Sequence, residues 1–230
     1  MKQVLVICDD YWHPAEVLER GFASYAKEGY AFDFVKDAKD VLNPEMVERY
    51  DFVICAKSNN ISAANENPWF EDGVTEFSPE DLRAYVEKGR KVLFLHSGNA
   101  FMKTTGREEK IEAPNQVYID LVGNYFISHP ARCDVQAHME MPEHPLLSGV
   151  SDFTVRDEHY NCEIVAKDVQ VLFTTHSKTG GDHVGAYLRK VGRGEVIVSM
   201  PGHLVSVFEE PNYRRFLLNV LSYGTGQETK

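Results

Sequence analysis

Four apolar runs, each emptying straight into polar residues, constrain this chain more than any other feature. Residues 4–8 (VLVIC) open into Asp9 and Asp10, and residues 51–56 (DFVICA) open onto Lys57, Ser58, Asn59 and Asn60. Residues 91–95 (KVLFL) run into His96, Ser97, Gly98 and Asn99, and residues 195–200 (EVIVSM) into Pro201, Gly202 and His203. Apolar runs without alternation read as strands buried on both faces, the habit of parallel sheets. Helical signals separate them. Pro14 suits a first helical turn, Ala15, Leu18, Phe22 and Tyr25 share one face, and Gly29 stops the run before a strand over 31–35. Pro44 opens a short helix, and Ser78-Pro79-Glu80-Asp81 caps a longer one that buries Leu82, Tyr85 and Val86 and stops at Gly89. This β-α-β-α-β rhythm predicts a parallel sheet with right-handed crossovers.

The second half reads differently. Residues 116–122 suit a helix, and residues 131–155 suit short strands and turns punctuated by Pro142, Pro145 and Gly149. Strands are predicted over 169–176, 184–190 and 195–200, with Gly192-Arg193-Gly194 as the tight connection between the last two. A helix over 211–221 buries Phe216, Leu217, Val220 and Leu221, and a polar tail follows Gly224. The expected fold class is α/β, three layers, with a mostly parallel sheet flanked by helices in one domain over residues 1–230. Hydrophobic residues make up 43% of the chain, enough for such a core.

Charge narrows the partners. With 24 basic residues against 35 acidic ones the net charge is −11, which repels a nucleic-acid backbone and an anionic membrane surface alike. The N-terminal apolar run is short and reaches two aspartates at once, so it reads as a first strand and not as a secretory signal. No stretch approaches bilayer-spanning length. Cys8, Cys55, Cys133 and Cys162 are widely spaced with no CxxC pair, which suits reduced thiols in a cytoplasmic protein. No GxGxxG occurs, and Gly192-Arg193-Gly194 lacks the Lys-Ser/Thr of a phosphate loop, so no nucleotide site is inferred.

In open parallel sheets, ligands bind beyond the carboxyl ends of strands. Loops there carry Asp9, Asp10, Tyr11, Trp12 and His13 after the first strand, and His96 and His203 after later ones. His96 stands at a strand-to-turn junction with glycine two residues on, the pattern of a nucleophile elbow, where a side chain is thrust above the sheet. Imidazole there can act as base, nucleophile, donor or metal ligand, or can merely bond nearby backbone. Asp157-Glu158-His159-Tyr160 follows a predicted strand, and alternation puts Glu158 and Tyr160 on one face with His159 on the other. His129-Pro130 and His144-Pro145 read equally as turns. His96, His129, Glu158 and His203 have the chemistry of a zinc set, although no HExxH spacing supports it. Catalytic candidates are therefore His96, His203 and Glu158. Substrate-binding candidates are His13, Asn59, Asn99, His129 and Tyr160.

Several blocks in order resemble the ThuA-like (trehalose utilisation) family, which shares the fold of class I glutamine amidotransferases. They are VLVICDDYWH, VLFLHSGNAF, YIDLVGNYFISHP, EHPLLSGVSDFTVRDEHY and VGRGEVIVSMPGH, and together they span almost the whole chain. Amidotransferase chemistry needs a cysteine on the elbow, a late histidine, and a glutamate two residues beyond it. Here His96 replaces the cysteine, His203 matches the histidine and Val205 stands in place of the glutamate, so glutamine hydrolysis is not expected. The resemblance implies instead a sugar or keto-sugar as the small-molecule partner. Tyr11, Trp12 or Trp69 could stack on its ring. A divalent metal such as zinc is a candidate cofactor. A non-catalytic binding or regulatory module and a metal-dependent hydrolase are the competing readings. The segment 57–77 is longer than in typical members, and a homo-oligomer, dimers being the default, suits such folds.

Overall fold

The computed structural model describes residues 1–59, 67–100 and 115–227. Asn60, grouped above with the loop after the third strand, lies outside the described residues.

The first half forms β1 (Lys2–Ile7), α1 (Ala15–Phe22), β2 (Tyr30–Val35), α2 (Ala38–Val41), α3 (Pro44–Val47), β3 (Phe52–Cys55), α4 (Pro79–Glu87) and β4 (Lys91–Leu95). The second half adds α5 (Gln116–Val122), β5 (Asn124–Ser128), β6 (Cys133–Met139), β7 (Phe153–Asp157), β8 (Asn161–Ile164), β9 (Gln170–Ser177), β10 (Gly181–Val191), β11 (Gly194–Ser199), α6 (Val205–Glu209) and α7 (Pro211–Thr225). The helix expected to run to Gly29 is α-helical only to Phe22. It tightens into a 3-10 turn over Ala23–Glu28, which Gly29 ends in a left-handed conformation.

Among the described residues one sheet has nine strands in the order β2-β1-β3-β4-β11-β10-β9-β6-β7. The block from β2 to β11 is parallel throughout. The strands from β10 to β7 extend it with antiparallel pairs. The sheet is therefore mixed, but β10 and β6 alone run against the common direction. Side chains alternate across the parallel block. Val4, Val6, Phe52, Ile54, Leu93 and Ile197 pack on one side with Phe22, Phe208 and Phe216 of the flanking helices. Leu5, Ile7, Val53, Phe94 and Val198 pack on the other with Leu82, Tyr85 and Leu121. Both faces of the parallel block are thus covered, giving three layers, as the unbroken apolar runs require. The antiparallel end keeps one wet face, and β6 alternates accordingly, with Val135, Ala137 and Met139 buried and Gln136 and His138 exposed.

The cap read from the sequence at Ser78 is, in the structure, a full capping box on α4. Ser78 accepts from the Asp81 backbone N–H, and the Asp81 carboxylate accepts from the Ser78 backbone N–H. Ser78→Ala is expected to cost about 1 kcal/mol, read as a lowered urea midpoint with unchanged slope. Among the described residues, no helix is long and apolar enough to cross a membrane.

Candidate functional site

The parallel order β2-β1-β3-β4-β11 reverses direction between β1 and β3, and the crevice above that switch point gathers the loops that follow the strands. Asp9, at φ 75, turns the chain sharply after β1, and its carboxylate accepts from Ala15 N to start α1. Asp10 is buried and ties two loops together. Its Oδ1 accepts from the backbone N–H groups of Trp12 and His13, both at 3.0 Å, and lies 2.7 Å from His13 Nδ1. Its Oδ2 accepts from the Ser58 backbone N–H and hydroxyl. A carboxylate cannot donate, so His13 Nδ1 carries the proton and Nε2 is left facing the crevice.

After β4 the chain turns at His96, whose φ of 45 is the left-handed geometry of an elbow. His96 Nδ1 lies 2.8 Å from the Met200 carbonyl oxygen, which by the same logic leaves its Nε2 free to face inward. Gly98 lets the turn close onto β3: a Cβ there would sit 2.0 Å from the Cys55 carbonyl oxygen. After β11, the Gly202 and His203 backbone N–H groups donate to the buried Asp157 carboxylate at 2.7 and 3.1 Å. Asp157 ends β7, four positions along the sheet from β11, so the antiparallel half curls back over the crevice.

Glu158 then enters from that returning strand. Its Oε2 lies 3.2 Å from His203 Nδ1, 3.4 Å from His96 Nε2, 3.6 Å from His129 Nε2 and 3.8 Å from His13 Nε2. Ligand-capable atoms of His13, His96, Glu158 and His203 all fall within 4.8 Å of one another. Yet Glu158 Oε2, His96 Nε2 and His203 Nδ1 are buried without hydrogen-bond partners. The groups are close but not aligned on each other, the arrangement of donors directed at a common centre. Tetrahedral zinc with bonds of about 2.0–2.1 Å separates its ligand atoms by about 3.3–3.4 Å, near the 3.4 and 3.2 Å of His96 and His203 from Glu158, with His13 farther at 3.8 Å. The outer contacts also suit an ion: metal-bound imidazoles give their second N–H to a carboxylate or carbonyl, as His13 does to Asp10 and His96 to Met200. Asp10→Asn is expected to weaken divalent-ion binding about 10- to 100-fold, measured by competition with a chromophoric chelator.

The electrostatics agree. Burial opposes ionisation of Glu158, but the close imidazoles of His13, His203 and His96 hold its carboxyl far below the usual range. Burial likewise opposes charge on His13, but Asp10 and then Glu158 raise it to about 9. The same negative potential of Asp10 and Glu158 that favours a cationic His13 also favours a cation held among these groups. Burial lowers His96 and raises Asp157.

Beside the cluster lies a cavity of about 490 Å³ whose wall includes Trp12, His13, His129, Arg132, Glu158, Tyr160 and His203. Tyr160 stacks on His96 with ring centroids 4.3 Å apart, and its hydroxyl is 3.4 Å from His13 Nε2. His159 points the other way, to Ser177 and Thr175, as the alternation implied.

The structure thus brings together His13, His96, His129, Glu158, Tyr160 and His203. The tight set contains His13 where the sequence suggested His129, which sits at the rim. Asn59 and Asn99 stand apart from the cavity wall. The Asn59 side chain accepts from Phe70 N, and Asn99 donates to the carbonyls of Phe94 and Ser199. Trp69 is wholly buried beside Phe70, Phe77 and Tyr118 and is no stacking platform, whereas Trp12 is 51% exposed. Asp10 and Asp157 stand in stretches the sequence pointed to but, like Arg132, were not among the candidate site residues. Asp10 carried a signal, a carboxylate three residues before a histidine at a strand end, whereas Asp157 acts through backbone N–H groups that no pattern reveals.

Comparison with known proteins agrees with this architecture. The family described as ThuA, trehalose utilisation, matches residues 3–224. A ThuA-like protein from Parabacteroides merdae superposes with a TM-score of 0.69 at 16% identity, over 100% of this chain and 92% of that one. A protein of Salmonella typhimurium LT2 described as cytoplasmic gives 0.69 at 15% identity, over 97% and 99%. The cold-adapted β-galactosidase of Rahnella sp. R3 gives 0.66 at 11% identity, over 99% of this chain but 32% of its own. These identities establish shared fold alone. No curated protein matches the sequence. A match over nearly the full length, on the fold described above, shows that the chain belongs to the ThuA (trehalose utilisation) family.

Proposed function

We propose that this protein is a divalent-metal enzyme acting on a sugar or keto-sugar by acid–base chemistry. The observation that carries the reading is the convergence of His13, His96, Glu158 and His203 on one centre, with buried, unpartnered lone pairs among them. These residues would hold the ion, with Asp10, Asp157 and the Met200 carbonyl fixing their orientation. An ion bound there supplies Lewis-acid polarisation of a sugar carbonyl or hydroxyl. His129 supplies proton transfer. Its Nδ1 lies 2.9 Å from the Pro130 carbonyl oxygen, so its Nε2 lone pair faces the crevice. Tyr160 braces His96, and Trp12 offers a flat apolar face to a sugar ring.

Glutamine hydrolysis forms no part of the reading. The elbow carries His96, and burial pushes the Cys8 and Cys55 thiols up to about 12 and 11, away from any nucleophilic thiolate. Neither lines the cavity. A cytoplasmic setting fits four free cysteines and the structural neighbours described as cytoplasmic.

The test follows sugars and keto-sugars by NMR in deuterated water with protein loaded with zinc or manganese. Solvent deuterium should enter beside the carbonyl, and the exchange should vanish in His96→Ala and after chelation. Exchange that survives chelation leaves the imidazoles acting unaided and removes the metal from the reading. Exchange unchanged in His96→Ala would end it.

A further inference from the structure

We infer that the crevice selects an anionic sugar derivative, one bearing a carboxylate or a phosphate, through Arg132. The inference rests on the reading above and adds the chemistry of the substrate's far end.

Arg132 lies one residue before β6 and lines the same cavity as His13, Glu158 and His203. It is the sole permanent cation among the described residues of that wall. Six other guanidinium groups, those of Arg20, Arg49, Arg83, Arg90, Arg189 and Arg214, each lie within 3.5 Å of a carboxylate; Arg156, Arg193 and Arg215 lack such a partner among the described residues, but none of them lines this cavity. With 35 acidic residues against 24 basic ones, partners are plentiful. No carboxylate of the described residues pairs with Arg132. The one acid of the cavity wall, Glu158, is turned toward four imidazoles and does not serve it.

The placement matches a ligand with three parts. The imidazole–carboxylate cluster takes the reacting carbons. Trp12 and Phe126 give apolar faces on the same wall. The guanidinium takes an anionic group, since its planar fork matches two oxygens of a carboxylate or phosphate. Discrimination is strong because the chain as a whole repels anions at net charge −11, so an anion is held only where a local cation overrides that field. Charge-assisted hydrogen bonds of this kind correspond to roughly tenfold or more in affinity.

The test titrates D-glucuronate, D-glucose 6-phosphate and neutral D-glucose into zinc-loaded protein, wild type and Arg132→Leu, by calorimetry. Zinc content is measured on the same samples. At least one anion should bind the wild type about tenfold or more tightly than glucose, and the margin should fall below about threefold in Arg132→Leu. Arg132→Lys should keep part of it. Which anion prevails distinguishes carboxylate from phosphate. Equal binding of anion and glucose to the wild type, a margin that survives Arg132→Leu, or no anion binding at millimolar concentration would each overturn the inference. Zinc content reports separately on the metal reading: Arg132 is not a ligand, so an unchanged zinc content with an unchanged margin sinks this inference and leaves the metal centre standing.

Discussion

Glu158→Ala is expected to empty the cluster of its divalent ion while the sheet stays folded. Glu158 Oε2 lies within 3.8 Å of four imidazoles, so its loss removes both a ligand and the charge that gathers the others. Four-ligand zinc sites contribute about 10–16 kcal/mol in total. One ligand in four then corresponds to about 2.5–4 kcal/mol, or two to three orders of magnitude in affinity. The fold should tolerate the change, because Glu158 belongs to neither apolar cluster and β7 is anchored by Phe153 and Val155. Chelator competition gives the affinity, and circular dichroism with a urea titration gives the fold. Glu158→Gln, which keeps one carbonyl oxygen, should lie between wild type and alanine. Zinc affinity within threefold of wild type in Glu158→Ala would remove the carboxylate from the centre.

Gly98→Ala is expected to produce the largest loss of stability, about 3–5 kcal/mol. The added Cβ would sit 2.0 Å from the Cys55 carbonyl oxygen and 2.9 Å from its carbon. Neither side can yield by a rotamer change, because the clash is with strand backbone at the end of β3. Since native domains are stable by only about 5–15 kcal/mol, such a loss is a large share of the whole. The turn also carries His96, so ion binding should weaken together with the urea midpoint. A loss below about 1 kcal/mol would show that the elbow has room to shift and that its geometry is not dictated by contact with β3.

These two residues mark the limits of what the sequence reveals. The elbow was legible because β4 is buried on both faces: residues 91–95 have no alternation, and the first polar residue must leave the sheet. The same logic located β1, β3 and β11. The small ribbon of β5 and β8 was not legible, since Asn124–Ser128 and Asn161–Ile164 pair only with each other and bury little in a regular period. Glu158 and Tyr160 could be placed on one face by alternation, but nothing local shows that β7 curls back over β11. That curl depends on the whole antiparallel half. The strand-end argument put His13 in the crevice as a binding residue, but not in the tight set; it reaches the centre because Asp10 folds the loop back on itself. His129 reads like a ligand by residue type, yet it lies exposed at the rim, bonded to the Pro130 carbonyl. Asn59 and Asn99 look like hydroxyl-binding groups in sequence, but buried turns need their amides to satisfy nearby backbone, and that demand is visible only in three dimensions.

Four side chains from distant parts of the chain are held here to share a single divalent ion. Anomalous scattering at the zinc edge, from crystals of chelator-stripped protein soaked in zinc, examines this directly. The account predicts one strong peak about 2.0–2.2 Å from His13 Nε2, His96 Nε2, His203 Nδ1 and a Glu158 carboxylate oxygen. Crystals that show no peak there, with the imidazoles turned to hydrogen-bond Glu158 or ordered water, would contradict it.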